Sequence, residues 1–124
     1  MGKRFFLRIE GLEGESNHAL HDGAIELNSW MWGDDKPLKH IICLKDTDSV
    51  TVDLVRALAE GTEFTGATLT SEYPNGKDEV AITMQNVFVS ELKTKGEGGS
   101  VSKDTLTLEF EKVDIDYGSL NPAG

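Results

Sequence analysis

Basic residues are scarce in this chain. Twelve Lys and Arg stand against 22 Asp and Glu, leaving a formal charge of -10 and a sequence pI near 4.6. Cationic surface is what draws a protein to a polyanion, so DNA, RNA and anionic membrane are poor partners for it. Cysteine is nearly absent: Cys43 alone cannot close an internal disulfide. Within the apolar run Ile41-Ile42-Cys43-Leu44 it reads as a small buried thiol, with no electropositive neighbourhood to make it a nucleophile. No stretch approaches the ~20 apolar residues of a membrane span. The apolar part of Met1–Leu7 is too short for a signal-peptide core, and no small-residue cleavage site follows. The expectation is synthesis in the cytoplasm, and any export without a cleaved leader. A myristoylation signal fails as well, since Phe6 stands where Ser or Thr is needed after Gly2. Phosphate-cradling glycine loops and the G-x-S-x-G nucleophile turn are also missing.

What is present is a foldable pattern. At 124 residues with 38% hydrophobic side chains, the chain can bury one core, and disorder is the poorer reading. The expected domain is residues 1–118, followed by a frayed tail at 119–124. Val80, Ile82 and Met84 alternate with polar neighbours, as do Leu106, Leu108 and Phe110, which marks two half-buried strands. In both, the apolar parity then shifts, to Val87 and Val89 and to Val113, Ile115 and Tyr117. A β-bulge absorbing one residue would bend each strand at that point. Lys95–Ser100 contains three glycines and reads as the hairpin turn between them.

Ahead of this hairpin, Phe5, Leu7 and Ile9 share one face of a first strand, and 11–23 forms a long polar arm with no apolar period. A loop of that length in a small domain is usually functional. The second strand spans Ala24–Trp32, with Ile25 and Leu27 on one parity and Trp30 and Trp32 on the other. Either a bulge near Asn28 turns both indoles inward, which their size favours, or they project from the other face toward a partner. Gly33–Pro37 reads as a turn and Lys39–Lys45 as a third strand. Leu54, Val55, Leu58 and Ala59 then fall at helical spacing, with Ser49 or Thr51 as N-cap, Asp53 in the first turn and Gly61 as the stop. Phe64–Tyr73 returns to strand, and Pro74-Asn75-Gly76 turns into the hairpin.

Candidate chemistry is thin. His18 and His21, with Glu15 and Asp22 nearby, form a workable transition-metal set. They lie on a segment with no helix to hold them, so metal binding is not expected. Asp46, Asp48 and Asp53 invite a calcium reading, yet the central glycine and terminal glutamate of the calcium loop are missing, and helix capping accounts for them. Glu109 and Asp114 read as a solvated face. No catalysis and no cofactor are expected.

Gly14-Glu15-Ser16, His21, Ile25-Glu26-Leu27 and Ser29-Trp30-Met31-Trp32-Gly33 resemble the G-E-S…H…E-I…S-W-S-W-G signature of the Hcp (haemolysin-coregulated protein) family, the tube proteins of bacterial type VI secretion. The likeness continues through Lys45, Asp48 and Leu54, Ala67–Thr70, Val80–Leu92 and Leu106–Tyr117. Family members usually have a longer glycine-rich connection where this chain has Asp34–Lys39, and an acidic residue is common near position 18. The resemblance implies an all-β fold with one short helix: a closed six-stranded β-barrel of mixed strands, with an extended arm between the first two. It further implies a homohexameric ring stacking into a hollow tube, with sheath, spike and small effector proteins as partners, and secretion through the type VI apparatus. Leu12, Glu15, Ser16, His18, His21, Trp30 and Trp32 are the expected subunit and ring contacts. Two rivals remain: a non-stacking effector carrier or adaptor, in which Leu12, Trp30 and Trp32 would tolerate alanine, and a small hydrolase with metal at His18 and His21.

Overall fold

A computed structural model describes residues 2–16, 21, 23–96 and 98–118, and the expected tail at 119–124 lies outside them. The alternating stretches become strands β1 (Arg4–Ile9), β2 (Ile25–Leu27), β3 (Ser29–Trp32), β4 (His40–Asp46), β5 (Glu63–Glu72), β6 (Asp78–Lys95) and β7 (Lys103–Asp116), with helix α1 (Ser49–Glu60) between β4 and β5. They form a single sheet in the order β2-β1-β5-β6-β7-β4-β3.

The expected closed six-stranded barrel of mixed strands is corrected by this order. The sheet has seven strands, every pairing is antiparallel, and it curls without closing, with β2 and β3 as its two ends. The cause is at Asn28. The chain there changes neighbours: Ile25–Leu27 ladders onto β1, and Ser29–Trp32 ladders onto β4. Asn28 itself joins neither strand and donates its N–H to the Leu44 carbonyl at 2.7 Å. One expected strand thus becomes two, and the parity shift read between Leu27 and Trp30 is this break.

The long hairpin appears where its alternation placed it. The expected bulge at the phase change does not. Gln85 pairs with Lys112 and Val87 with Phe110, while Gly66 and Phe64 oppose the same two β6 residues on the other side, so register is unbroken. Buried parity nonetheless changes in β6 between Met84 and Val87, and in β5 between Phe64 and Ala67. Asn86, with φ 55°, takes up the change, and its side-chain amide donates to Glu111 on β7. Adjacent strands change face along one line, which keeps their ladders intact while the sheet bends. Register does slip elsewhere, at Val89/Glu91 and at Ser71/Glu72.

Helix α1 begins at Asp48, not at the expected Ser49 or Thr51. The Asp48 carboxylate accepts from the Val50 N–H at 3.1 Å, and Thr51 Oγ1 returns the bond by accepting from the Asp48 N–H at 3.0 Å. Gly61 closes the helix in the left-handed region at φ 65°. Leu54 and Ala57 seat the helix on the core, whose fully buried members include Leu7, Ile41, Ile82 and Leu108. Truncating a buried leucine such as Leu54 to alanine costs about 2–5 kcal/mol.

Candidate assembly surfaces

The arm leaves β1 through Gly11, at φ 94°, and is laddered at its base. Gly14 N–H donates to Gly23 O at 2.7 Å, Ser16 N–H to Ala24 O at 3.0 Å, and Gly23 N–H to Ser16 O at 3.0 Å. The limbs run so close that a Cβ on Gly14 would lie 2.4 Å from the Ala24 carbonyl oxygen, which reserves the position for glycine.

Both limbs are tied to the body of the protomer. The Glu15 carboxylate accepts from the Ser49 N–H at 2.8 Å and from its hydroxyl, at the positive end of α1. These bonds hold Glu15 below the usual carboxylate range. His21 stacks on Phe6, with ring centroids 4.0 Å apart and 8° between planes, and its Nε2 lies 2.9 Å from the buried Glu72 carboxylate. That stack covers Phe6, which is buried although it lies on the face of β1 opposite Leu7 and Ile9.

The expected contact residues therefore already have neighbours at home. Ser16 is buried, Leu12 is half-buried against the core, and Trp30 and Trp32 meet edge to face at 5.5 Å, each half-buried. His18 lies outside the described residues, and with it the expected pair of His18 and His21. Among the described residues no group of His, Cys, Asp and Glu is arranged to hold a metal ion. The three aspartates of the calcium reading are otherwise engaged: Asp46 with Lys103, Asp48 with Lys45, and Asp53 with Arg56. Asp46 and Asp48 border a cavity of about 470 Å3 that Glu15 and Glu26 also line. Burial pushes the Cys43 thiol up to about 12, as an inert core residue requires.

Below that acidic cavity lies a polar core the sequence did not reveal. Lys45 and Asp104 are fully buried and 3.0 Å apart. Lys45 Nζ also donates to Asp46 O at 2.8 Å and Asp48 Oδ1 at 2.9 Å. Asp104 accepts from the hydroxyls of Thr47, Thr51 and Thr94 at 2.5–2.8 Å. The cluster joins β4, the start of α1, β6 and β7.

Among the described residues, half of the large apolar side chains left exposed lie on the helix, the others being Met31, Val101 and Tyr117. Val52 is 59% exposed, Val55 49% and Leu58 37%, while Met31 on β3 is 58% exposed. Val52, Val55 and Leu58 form a second, exposed apolar stripe on α1, beside the buried one that carries Leu54 and Ala57. Leu54, Val55, Leu58 and Ala59, which fall at helical spacing, divide between the two stripes, Leu54 buried and the other three exposed. The signal that separates them is visible in hindsight: Val52, Val55 and Leu58–Ala59 recur at three- and four-residue intervals, out of phase with Val50, Leu54 and Ala57.

Residues 6–117 match the family described as type VI secretion system effector, Hcp. No match to the chain is found among curated protein sequences. Several solved structures share the fold. The crystal structure of Hcp1 from Salmonella typhimurium superposes with a TM-score of 0.87 at 23% identity, covering 94% of this chain and 87% of that one. A type VI secretion system effector from Yersinia pestis gives 0.87 at 20% identity, covering 97% and 93%. The secreted protein Hcp3 from Pseudomonas aeruginosa gives 0.74 at 11% identity, covering 99% and 95%.

Proposed function

The chain belongs to the Hcp family of type VI secretion proteins, and from that premise we propose that it is the subunit of the secretion tube. Its work is structural, not catalytic. Six copies close into a ring by head-to-tail contacts, and rings stack into a hollow conduit that can carry small effector proteins. The tube meets the sheath and spike of the apparatus and leaves the cell through it. Residues 1–118 act as one unit, and the arm from Leu12 to His21, with Trp30 and Trp32, contributes contacts between subunits and rings.

The observation that carries this reading is the uncovered stripe of Val52, Val55 and Leu58 on a chain with charge -10. Such a surface asks for a partner, and a copy of the same chain is the partner family membership supplies. Negative-stain microscopy with light-scattering mass tests it. The expected result is rings of six times the 13.6 kDa protomer, and stacks of them, with the paired substitution Val52→Asp/Val55→Asp yielding folded single protomers. A compact protomer at high concentration in the unsubstituted protein would sink the proposal.

The internal anchoring of the arm through Glu15 and His21 favours one further reading, an Hcp-like carrier or adaptor that forms at most single rings. Rings that never stack, together with Leu12, Trp30 and Trp32 that tolerate alanine, would select it.

A further inference from the structure

The connection between β3 and β4 is short, and one side chain fastens it to β7. His40 sits at the first position of β4, opposite Glu109 in the ladder. Its Nδ1 is hydrogen-bonded to the Asp35 carboxylate from the turn, and its Nε2 lies 3.3 Å from Glu109 Oε1. Backbone bonds frame the same place: Gly33 N–H donates to His40 O and Phe110 N–H to Lys39 O, both at 2.9 Å.

Ionised carboxylates only accept hydrogen bonds, and a neutral imidazole has one N–H to give. Carboxylates facing both ring nitrogens are therefore satisfied together only by the doubly protonated ring. Burial pushes Asp35 up, but the hydrogen bond and charge of His40, together with backbone hydrogen bonds from Asp35 and Lys39, outweigh it and hold the carboxyl below its usual range. Flanking His40 and Glu109 along the chain, the other charged side chains are Asp34, Lys36 and Lys39 on the turn and Glu111 and Lys112 on β7, while β3 contributes none. No ion pair joins any of these to the His40 ring.

We propose that His40 is a proton-operated clasp between the 33–39 turn and β7, closed when the ring is charged and half-open when it is neutral. On losing its proton the ring keeps one N–H for Asp35 and turns a lone pair toward Glu109. Glu109, 48% exposed, then moves to solvent, and the turn loses its side-chain hold on β7. Histidine is the side chain suited to proton-operated switching, and the rim beside Trp32 differs in order between the two protonation states of the ring. Any effect on subunit contacts rests on the tube function proposed above.

Trp30 and Trp32 are the two tryptophans of the chain, and Trp32 pairs with Ile41 next to the clasp. Their emission from pH 5.5 to 8, with light-scattering mass recorded in parallel, reads the turn. A reversible change with the steepness of one proton is expected in the unsubstituted protein, and its loss in His40→Gln. Glu109→Gln should also lose most of it, because the amide can donate to the neutral ring's lone pair. Flat emission in the unsubstituted protein overturns the clasp, as does a change that survives in His40→Gln and so reports His18 or His21. Single protomers at every pH would instead defeat the tube function while leaving the emission test of the clasp intact.

Discussion

At the scale of single residues, the Lys45–Asp104 pair is where substitution has the largest expected cost. Both side chains are fully out of solvent, and removing Asp104 leaves the buried Lys45 charge with only the partly exposed Asp48 carboxylate beside it. Asp104→Asn is expected to cost about 3–5 kcal/mol at neutral pH, whereas Lys45→Met with Asp104→Leu should recover much of that loss. Urea unfolding of the two variants beside the parent measures it, and equal losses in the single and double variants would refute the account. Acid adds a second reading of the same site. Burial pushes the Asp104 carboxyl up, but hydrogen bonds from Thr51, Thr94, Lys45 and Thr47 outweigh it and leave the group below its ordinary value. A depressed carboxyl contributes stability above its unfolded value of about 3.9, and that contribution is lost as pH falls through the lower folded value. Stability measured from pH 6 down to 2 should therefore fall less steeply in Asp104→Asn than in the parent.

At the scale of elements, the helix is held by its ends as much as by its face. Asp48→Ala removes the N-cap acceptor and should cost about 1 kcal/mol or more, since the same carboxylate also meets Lys45. Gly61→Ala forces a Cβ into the left-handed region at φ 65° and should cost about 1–2 kcal/mol. Thermal unfolding followed by helical circular dichroism checks both, and an unchanged midpoint in either variant contradicts the cap assigned there. These ends also show what sequence makes legible. Gly61 as the stop, the long hairpin and the turn at Asn75-Gly76 follow from local residue chemistry, which needs no knowledge of neighbours. Asp48 was passed over as cap because Ser49 and Thr51 are equally good cap types, and only the Asp48 geometry separates them. The shift between Met84 and Val87 is legible as a shift, yet one strand's parity is the same for a bulge and for a bend shared with β5. The pairing partners decide, and they are distant in sequence. Asn28 illustrates the same limit: a break is visible there, but not that the chain changes neighbours across it. The Lys45–Asp104 cluster had no local signature, because its members come from four elements.

At the scale of the whole molecule, the order of the sheet brings its first and last members, β2 and β3, together across a single residue. The fold class as all-β with one helix was legible from the periods, while the strand count and the incomplete closure were not. The arm and the indoles stand out in the sequence through their unusual patterning. The outer stripe of α1 does not, because a helix's buried and exposed apolar residues look alike until its orientation is known. That stripe and the net charge oppose each other in any assembly of identical copies. Protomers at -10 repel over a Debye length of about 10 Å at 0.1 M salt and about 3 Å at 1 M. Apolar contact through Val52, Val55 and Leu58 depends little on screening and is, if anything, strengthened by salts excluded from protein surfaces. Association should therefore tighten as sodium chloride rises from 0.05 to about 1 M, with the sedimentation profile moving from single protomers or rings toward stacks. If ion pairs made by the charged side chains of the arm were instead the cement between copies, the same titration would dissolve the assemblies. Dissolution would transfer the contact from the helix stripe to the charged arm.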